Sequence, residues 1–326
     1  MTSPNTPLIY GCMGLGGPWE PGPLSAQPDA AALVDQAHAA IDAALAAGIT
    51  TFDHADIYKH GRAEEVFGRV LAERPELRDS ISIQSKVGII LGDPQRYDSS
   101  RAHVSGGVVR ILERLGISQL DALLIHRPDP LTSWNELAET LGALREEGLV
   151  KRFGVSNMSA AQLAAFERAF GEPPAVAQVQ LSLQHRNLLE SSILFNATSE
   201  PVESGFVEYC GAQKVEIQAW SPLAGGLFDP SRQDDDACAA DPAGSRSNAL
   251  AASRGVVQEL MERYLCSSEA VVLAFLLKLP WGVRPVIGST NPARIAASAD
   301  AATVAEQMSH EDWYRLWTAA RGVSVP

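Results

Sequence analysis

Short β-branched or aromatic runs alternate with segments of helical periodicity along almost the whole chain. Leu8-Ile9-Tyr10-Gly11-Cys12-Met13 reads as the first strand, and Ile49-Thr50-Thr51-Phe52, Ser82-Ile83-Gln84-Ser85 and Leu120-Asp121-Ala122-Leu123-Leu124-Ile125 follow it. Helices fill the gaps. One covers 29–47, with Leu33, Ala37, Ile41 and Leu45 along one side. Others lie around 63–73, along Val104, Val108, Ile111, Leu112 and Leu115, and along Trp134, Leu137, Leu141 and Leu144. The second half repeats the pattern, with strands expected at 150–156, 175–181, 215–220 and 284–287. Its helices are expected at 160–170, 201–212, 249–264, 268–279, 292–302 and 310–320. Parallel strands need a crossover of about a dozen residues or more, and a helix is the usual one. Eight such strands predict one closed (β/α)8 barrel over residues 1–326, a single domain with no linker.

A barrel of this kind builds its site at the C-terminal ends of its strands. Three successive strands end there in titratable residues. Asp53 closes the second, with Tyr58 in the loop that follows it; Lys86 closes the third and His126 the fourth. Strand ends carry polar residues routinely, so any one of these alone could be a cap or a solvated charge. Lys86 is the hardest to set aside. Alternation puts Ile81, Ile83 and Ser85 on one strand face and Ser82, Gln84 and Lys86 on the other. If helices cover the apolar face, Lys86 points into the barrel mouth and needs an anion, for which Asp53 is available.

Six short motifs carry a resemblance. Phe-Asp-His-Ala-Asp-Ile-Tyr at 52–58, Ser-Lys at 85–86, Leu-Leu-Ile-His-Arg-Pro-Asp at 123–129, Gly-Val-Ser-Asn at 154–157, Trp-Ser-Pro-Leu at 220–223, and Val-Ile-Gly-Ser-Thr-Asn-Pro-Ala-Arg-Ile at 286–295 occur in order. Together they resemble the aldo-keto reductase superfamily over roughly 8–302. The resemblance implies a (β/α)8 barrel, NADPH as cofactor, a small carbonyl substrate, and a catalytic tetrad at Asp53, Tyr58, Lys86 and His126. On that basis Tyr58 would give a proton to the carbonyl oxygen. Lys86 would lower the phenol's pKa from about 10, Asp53 would hold Lys86, and His126 would steer the carbonyl.

The resemblance also implies cofactor residues. Ser156, Asn157 and Gln178 match positions that bind the nicotinamide amide, and Trp220 matches the aromatic that stacks on its face. Ser221 and Leu223 match the pyrophosphate neighbourhood, while Gly11, Cys12 and Met13 are expected along the channel. Ser289, Thr290 and Arg294 match the group around the adenosine 2′-phosphate. The asparagine that usually precedes Gln178 in relatives is Ala177 here; around the adenosine, Gly288, Ala297 and Ser298 depart from residues found in relatives, which bears on the strength of NADPH preference.

Composition narrows the alternatives. The net charge of −13 argues against a nucleic-acid partner, which would need a basic face, and against an anionic membrane surface. Four cysteines, Cys12, Cys210, Cys238 and Cys266, stand too far apart in sequence for a zinc or redox motif and read as free thiols in a reducing compartment. The N-terminus lacks a signal peptide's basic start and apolar core. No stretch has the length of a membrane span, so a soluble, cytoplasmic protein is expected, with no metal and with oligomeric state open. Gly14-Leu15-Gly16-Gly17 suggests a dinucleotide loop, but its last glycine is missing and Pro18-Trp19-Glu20-Pro21 cannot start a helix. A loop at the barrel mouth is expected instead, with Trp19 as a wall of the pocket. Substrate contacts are expected from loops 14–23, 88–100, 127–133 and 223–247, the last containing an aperiodic stretch over 228–247. Two competing readings are a redox-sensing, cofactor-binding regulatory subunit on the same fold, and a metal hydrolase built on Asp53, His54, Asp56 and His60.

Overall fold

In the computed structural model Tyr10 pairs with Phe52 on one side and with Ile287 on the other, so the first strand joins both the second and the last. That double pairing closes the barrel. The structure describes residues 6–194, 205–232 and 245–326. Its strands are β1 (Ile9–Gly11), β2 (Thr51–Asp53), β3 (Ser82–Val87), β4 (Ile89–Ile90), β5 (Arg96–Tyr97), β6 (Leu120–Ile125), β7 (Val150–Ser156), β8 (Val176–Gln180), β9 (Glu216–Trp220) and β10 (Arg284–Ile287). Eight of them form one closed parallel barrel in the order β1-β10-β9-β8-β7-β6-β3-β2; β4 and β5 form a separate antiparallel hairpin. The (β/α)8 barrel expected from the alternation is the fold found.

The helices are α1 (Ala30–Ala46), α2 (Arg62–Glu73), α3 (Arg101–Leu115), α4 (Trp134–Glu146), α5 (Ala160–Phe170), α6 (Asn187–Ile193), α7 (Phe206–Gln213), α8 (Ser245–Tyr264), α9 (Ser268–Leu277), α10 (Pro292–Ala297), α11 (Ala301–Gln307) and α12 (His310–Arg321). Serine hydroxyls start several of them. Ser100, Ser133, Ser159 and Ser267 each accept from a backbone N–H in the first turn, and Gln162 completes a capping box with Ser159.

Alternation along the strands separates two environments. Ile83, Val87, Leu123, Ile125, Phe153, Val155, Ile217 and Ala219 are buried in the main apolar layer with the helices. The inward faces hold a small apolar cluster of Ala122, Leu124 and Val176, and three glutamines. Gln84 donates to Asp53 Oδ1 (2.6 Å) and to Gln218 Oε1 (2.7 Å), and Gln178 donates to the same two oxygens (3.0 and 2.9 Å). Gln218 in turn donates to Glu216, which is ion-paired with Arg284 at 3.1 Å. A hydrogen-bonded polar column therefore runs down the barrel beneath Asp53, and its buried amides are satisfied by one another.

Four expectations need correction. The first strand stops at Gly11, because Cys12–Gly14 turn as a 3-10 helix. The 88–100 loop contains the β4–β5 hairpin, whose two-residue strands are too short to show alternation. The helix expected at 292–302 is two helices, α10 and α11; Ser298 Oγ donates to Arg294 O and Ser267 Oγ to Ala297 O, which ends the first. The helix expected from residue 201 is seen as α7 from Phe206, with 201–204 outside the described residues. α6 is a helix the periodicity does not announce. Much of the aperiodic stretch, 233–244, also lies outside the described residues, as does Cys238. Cys12, Cys210 and Cys266 are free thiols. No helix among the described residues is long and apolar enough to cross a membrane.

Candidate active site

A cavity of about 560 Å³ opens at the C-terminal ends of the strands. Asp53, Tyr58 and His126 line it, and Lys86 lies directly behind them in the barrel wall. Lys86 Nζ donates to both oxygens of Asp53 at 2.6 Å and to His54 O at 2.8 Å. Burial works against the lysine's charge, but Asp53 and the neighbouring Tyr58 outweigh it and raise the Lys86 pKa. The ammonium sits 5.1 Å from the Tyr58 ring centroid. The Tyr58 and His126 rings meet edge to face at 6.3 Å. The four residues read from three strand ends thus converge on one spot.

Backbone bonds hold the Tyr58 loop to β3, since His54 N donates to Gln84 O and Asp56 N to Lys86 O. Two side chains, buried Glu64 and half-buried Arg114, brace it from behind. Glu64 of α2 accepts from Ser85 Oγ (2.7 Å) and from Arg114 of α3 (2.8 Å), and Arg114 also donates to Asp56 O. Gly61, at φ +94°, leaves room for that guanidinium, because a Cβ there would lie 2.6 Å from Arg114 Cζ. Fully buried Arg62 donates to the carbonyls of Gly16, Pro18, Glu20 and Gly22, and so fixes the 16–22 loop. That loop puts Trp19 on the cavity wall, where Lys59 sits over its ring. Trp19 was anticipated there; the arginine that holds its loop was not.

Electrostatics departs from the sequence reading at Tyr58. Burial pushes its pKa up to about 12, and Lys86 offsets only part of that rise. A cation beside a phenol lowers its pKa, but desolvation is the larger effect in this wall. His126 is held well below its ordinary range by burial, with Lys86 and Arg127 adding repulsion, so its imidazole is neutral. His54 packs on Phe67 at 4.6 Å with both ring nitrogens unpartnered, and burial lowers its pKa to about 3. His60 instead meets Trp19. The four residues of the metal-hydrolase reading therefore point apart, and no cluster of three or more candidate ligands occurs among the described residues.

The cavity continues along β7 to β10, past most of the expected cofactor positions. Gly11, Met13, Ser156, Asn157, Gln178, Trp220, Ser221, Leu223, Ser289 and Arg294 line it. Cys12 does not: its side chain is buried in the apolar layer. Thr290 is also off the cavity wall, and its methyl group faces Gly14. Asn157, at φ +58°, ties three strand ends together. Its amide donates to Ser156 Oγ (2.7 Å) and His126 O (3.3 Å), and its oxygen accepts from Trp220 Nε1 (2.9 Å). Arg294 of α10 donates from Nε to Glu269 at 2.8 Å while still lining the far end of the cavity. Gly226 is close-packed there, since a Cβ would lie 3.0 Å from Arg294 Nη2. Amide partners, a flat indole, a glycine turn and a terminal cation in one groove fit a nicotinamide dinucleotide carrying an extra phosphate. Ile89, Arg127 and Gly225 also line the cavity and belong to loops expected to contact substrate, whereas Ile57 lies outside those loops. For Arg127 the signal was its place beside His126.

The family model described as Aldo/keto reductase family matches residues 7–319. A 6-dehydroglucose reductase of Agrobacterium fabrum is 31% identical over 326 residues, covering 98% of this chain and 95% of that protein. Among solved structures, the glycerol dehydrogenase of Gluconobacter oxydans superposes with a TM-score of 0.78 at 24% identity, over 100% of this chain and 95% of that one. An aldo-keto reductase from Klebsiella pneumoniae in complex with NADPH gives 0.70 at 23% identity, over 95% and 89%. At those identities the structural likeness speaks for the fold.

Proposed function

This chain is a member of the aldo/keto reductase family, and on that footing we propose that it reduces an aldehyde or ketone to the alcohol with NADPH. The observation that carries the reading is the convergence of Tyr58, His126 and the Lys86–Asp53 pair at the mouth of a groove that suits the cofactor. When bound, the reduced nicotinamide supplies a hydride to the carbonyl carbon. Tyr58 donates its phenolic proton to the carbonyl oxygen as charge develops there. Lys86 stabilises the phenolate left behind, and Asp53 fixes the ammonium. Neutral His126 offers an N–H to the carbonyl oxygen, which orients the substrate and shares its charge. Ser156, Asn157 and Gln178 would hold the carboxamide, and Trp220 would offer its indole as a stacking surface for the nicotinamide. Arg294 and Ser289 are the residues to hold the 2′-phosphate.

The test is NADPH oxidation against a panel of aldehydes, ketones and sugars. The relative named for 6-dehydroglucose makes sugar-derived carbonyls a reasoned part of that panel. Tyr58→Phe keeps the ring and the groove but removes the proton donor. Reduction should fall by roughly 10²–10⁴-fold while NADPH still binds. Near-normal turnover in that variant would sink the assignment.

A further inference from the structure

Arg127 lines the cavity next to His126 in the chain and is half-buried; Trp19, Ile57 and Ile89 line the same cavity. It has no ionic or hydrogen-bonding partner among the described residues, unlike the other cation on the wall, Arg294, which Glu269 holds. The nearby acids are committed elsewhere. Asp129 accepts from Ser99 N, Leu131 N and Thr132 Oγ1, and Asp98 accepts from Ser100 N. Among the described residues that line the cavity Asp53 is the one carboxylate, and Lys86 is its ion-pair partner. Among the described residues no carboxylate pairs with Arg127 at this wall, in a protein of net charge −13. A guanidinium placed among apolar walls loses hydration that an anion would restore, and its planar fork suits a carboxylate in two-point contact.

We propose that Arg127 is a specificity-determining residue that anchors an anionic group, a carboxylate or its equivalent, on the carbonyl substrate. The preferred substrates are then aldehydes or ketones bearing a negative charge, oriented with the carbonyl at Tyr58 and the anion at Arg127. This rests on the carbonyl-reductase reading and narrows its substrate class.

The three carboxybenzaldehyde isomers, each paired with the methylbenzaldehyde of the same substitution, serve as a ruler for the distance between carbonyl and anion. The quantity read is the ratio of kcat/KM within each pair. The charge of Arg127 acts on His126 for both members of a pair, so a general effect on rate cancels. For at least one isomer the ratio should favour the carboxylate, and Arg127→Ala should lower that ratio about 10- to 100-fold. Arg127→Lys should keep part of it. NADPH affinity, measured by tryptophan quenching, should stay as in the parent. Ratios that Arg127→Ala leaves unmoved overturn the proposal, as does a parent enzyme that prefers every methyl compound. Loss of NADPH affinity in Arg127→Ala would move the residue to the cofactor and overturn it too. In each of these cases Tyr58-dependent reduction of the methyl compounds leaves the reductase reading standing; if no aldehyde is reduced by the parent, that reading falls as well.

Discussion

Lys86 Nζ lies 2.6 Å from both carboxylate oxygens of Asp53, with the two side chains only 1% and 2% exposed. Such a pair is costly to desolvate and more costly to break, because one charge is left without its partner. Lys86→Met should therefore lower stability by about 3–5 kcal/mol and abolish most reduction. The double variant Lys86→Met/Asp53→Asn, which removes both charges but keeps an acceptor for Gln84 and Gln178, should recover much of the melting temperature without recovering activity. If activity returned along with stability, the pair would be a structural element alone.

The pH dependence follows from two shifts. In the proposed role Tyr58 must be protonated, and burial, offset in part by Lys86, pushes its pKa up to about 12. His126 stays neutral because burial depresses its pKa well below the ordinary 6.5. Reduction at saturating NADPH should thus be flat from about pH 6 to about pH 9, with no histidine inflection. Alcohol oxidation needs the phenolate, so its rate should rise close to tenfold per pH unit over the same range. A step in the reductive profile near 6.5 would contradict the neutral imidazole.

Much of this arrangement is legible in the chain, for reasons that differ by residue. Asp53, Lys86 and His126 are readable because strand alternation and strand ends fix where they point, and Tyr58 because it follows Asp53 on a short loop. The interior glutamines follow from the same alternation once the helices cover the other face. What could not be read are contacts that depend on distant chain. Arg62 is held by carbonyls of residues 16 to 22, and Glu64 meets Arg114, fifty residues on in the next helix. A helical arginine and glutamate look like solvated surface until the packing of α2 against α3 removes the water. Cys12 was misplaced for a similar reason: the early end of β1 turns its thiol into the core. The sign of the Tyr58 shift depends on how much burial competes with Lys86, which no spacing encodes.

Asp56 lies in the Tyr58 loop with Oδ1 unpartnered. Burial and the nearby Glu64 push its pKa up to about 7, against the opposing pull of Arg114 and Arg110. The unfolded chain releases this proton near 3.8, so the folded form binds it more tightly. Stability from this group is therefore full below about pH 4 and is lost as pH rises to about 7. Asp56→Asn cannot ionise. Its melting temperature should exceed the parent's at pH 8, by a few kcal/mol at most in free energy, and approach it at pH 4. A gap that does not change with pH would show that Asp56 does not titrate in this window.

The last prediction concerns the choice between NADPH and NADH. The 2′-phosphate carries close to two negative charges near neutral pH, and a chain with net charge −13 repels it at long range. Arg294 is the cation lining the far end of the groove, but its Nε is already engaged by Glu269 at 2.8 Å. That carboxylate orients the guanidinium and, with NADPH bound as proposed, would set a like charge near the 2′-phosphate. Arg294→Ala should weaken NADPH by about 1–3 kcal/mol and barely affect NADH. Glu269→Gln should act in the opposite sense, tightening NADPH several-fold relative to NADH as the opposing charge is removed. Dissociation constants for both cofactors, read by tryptophan quenching on the three proteins, separate these effects. Equal losses for NADPH and NADH in Arg294→Ala would show that the residue supports the groove without binding the phosphate.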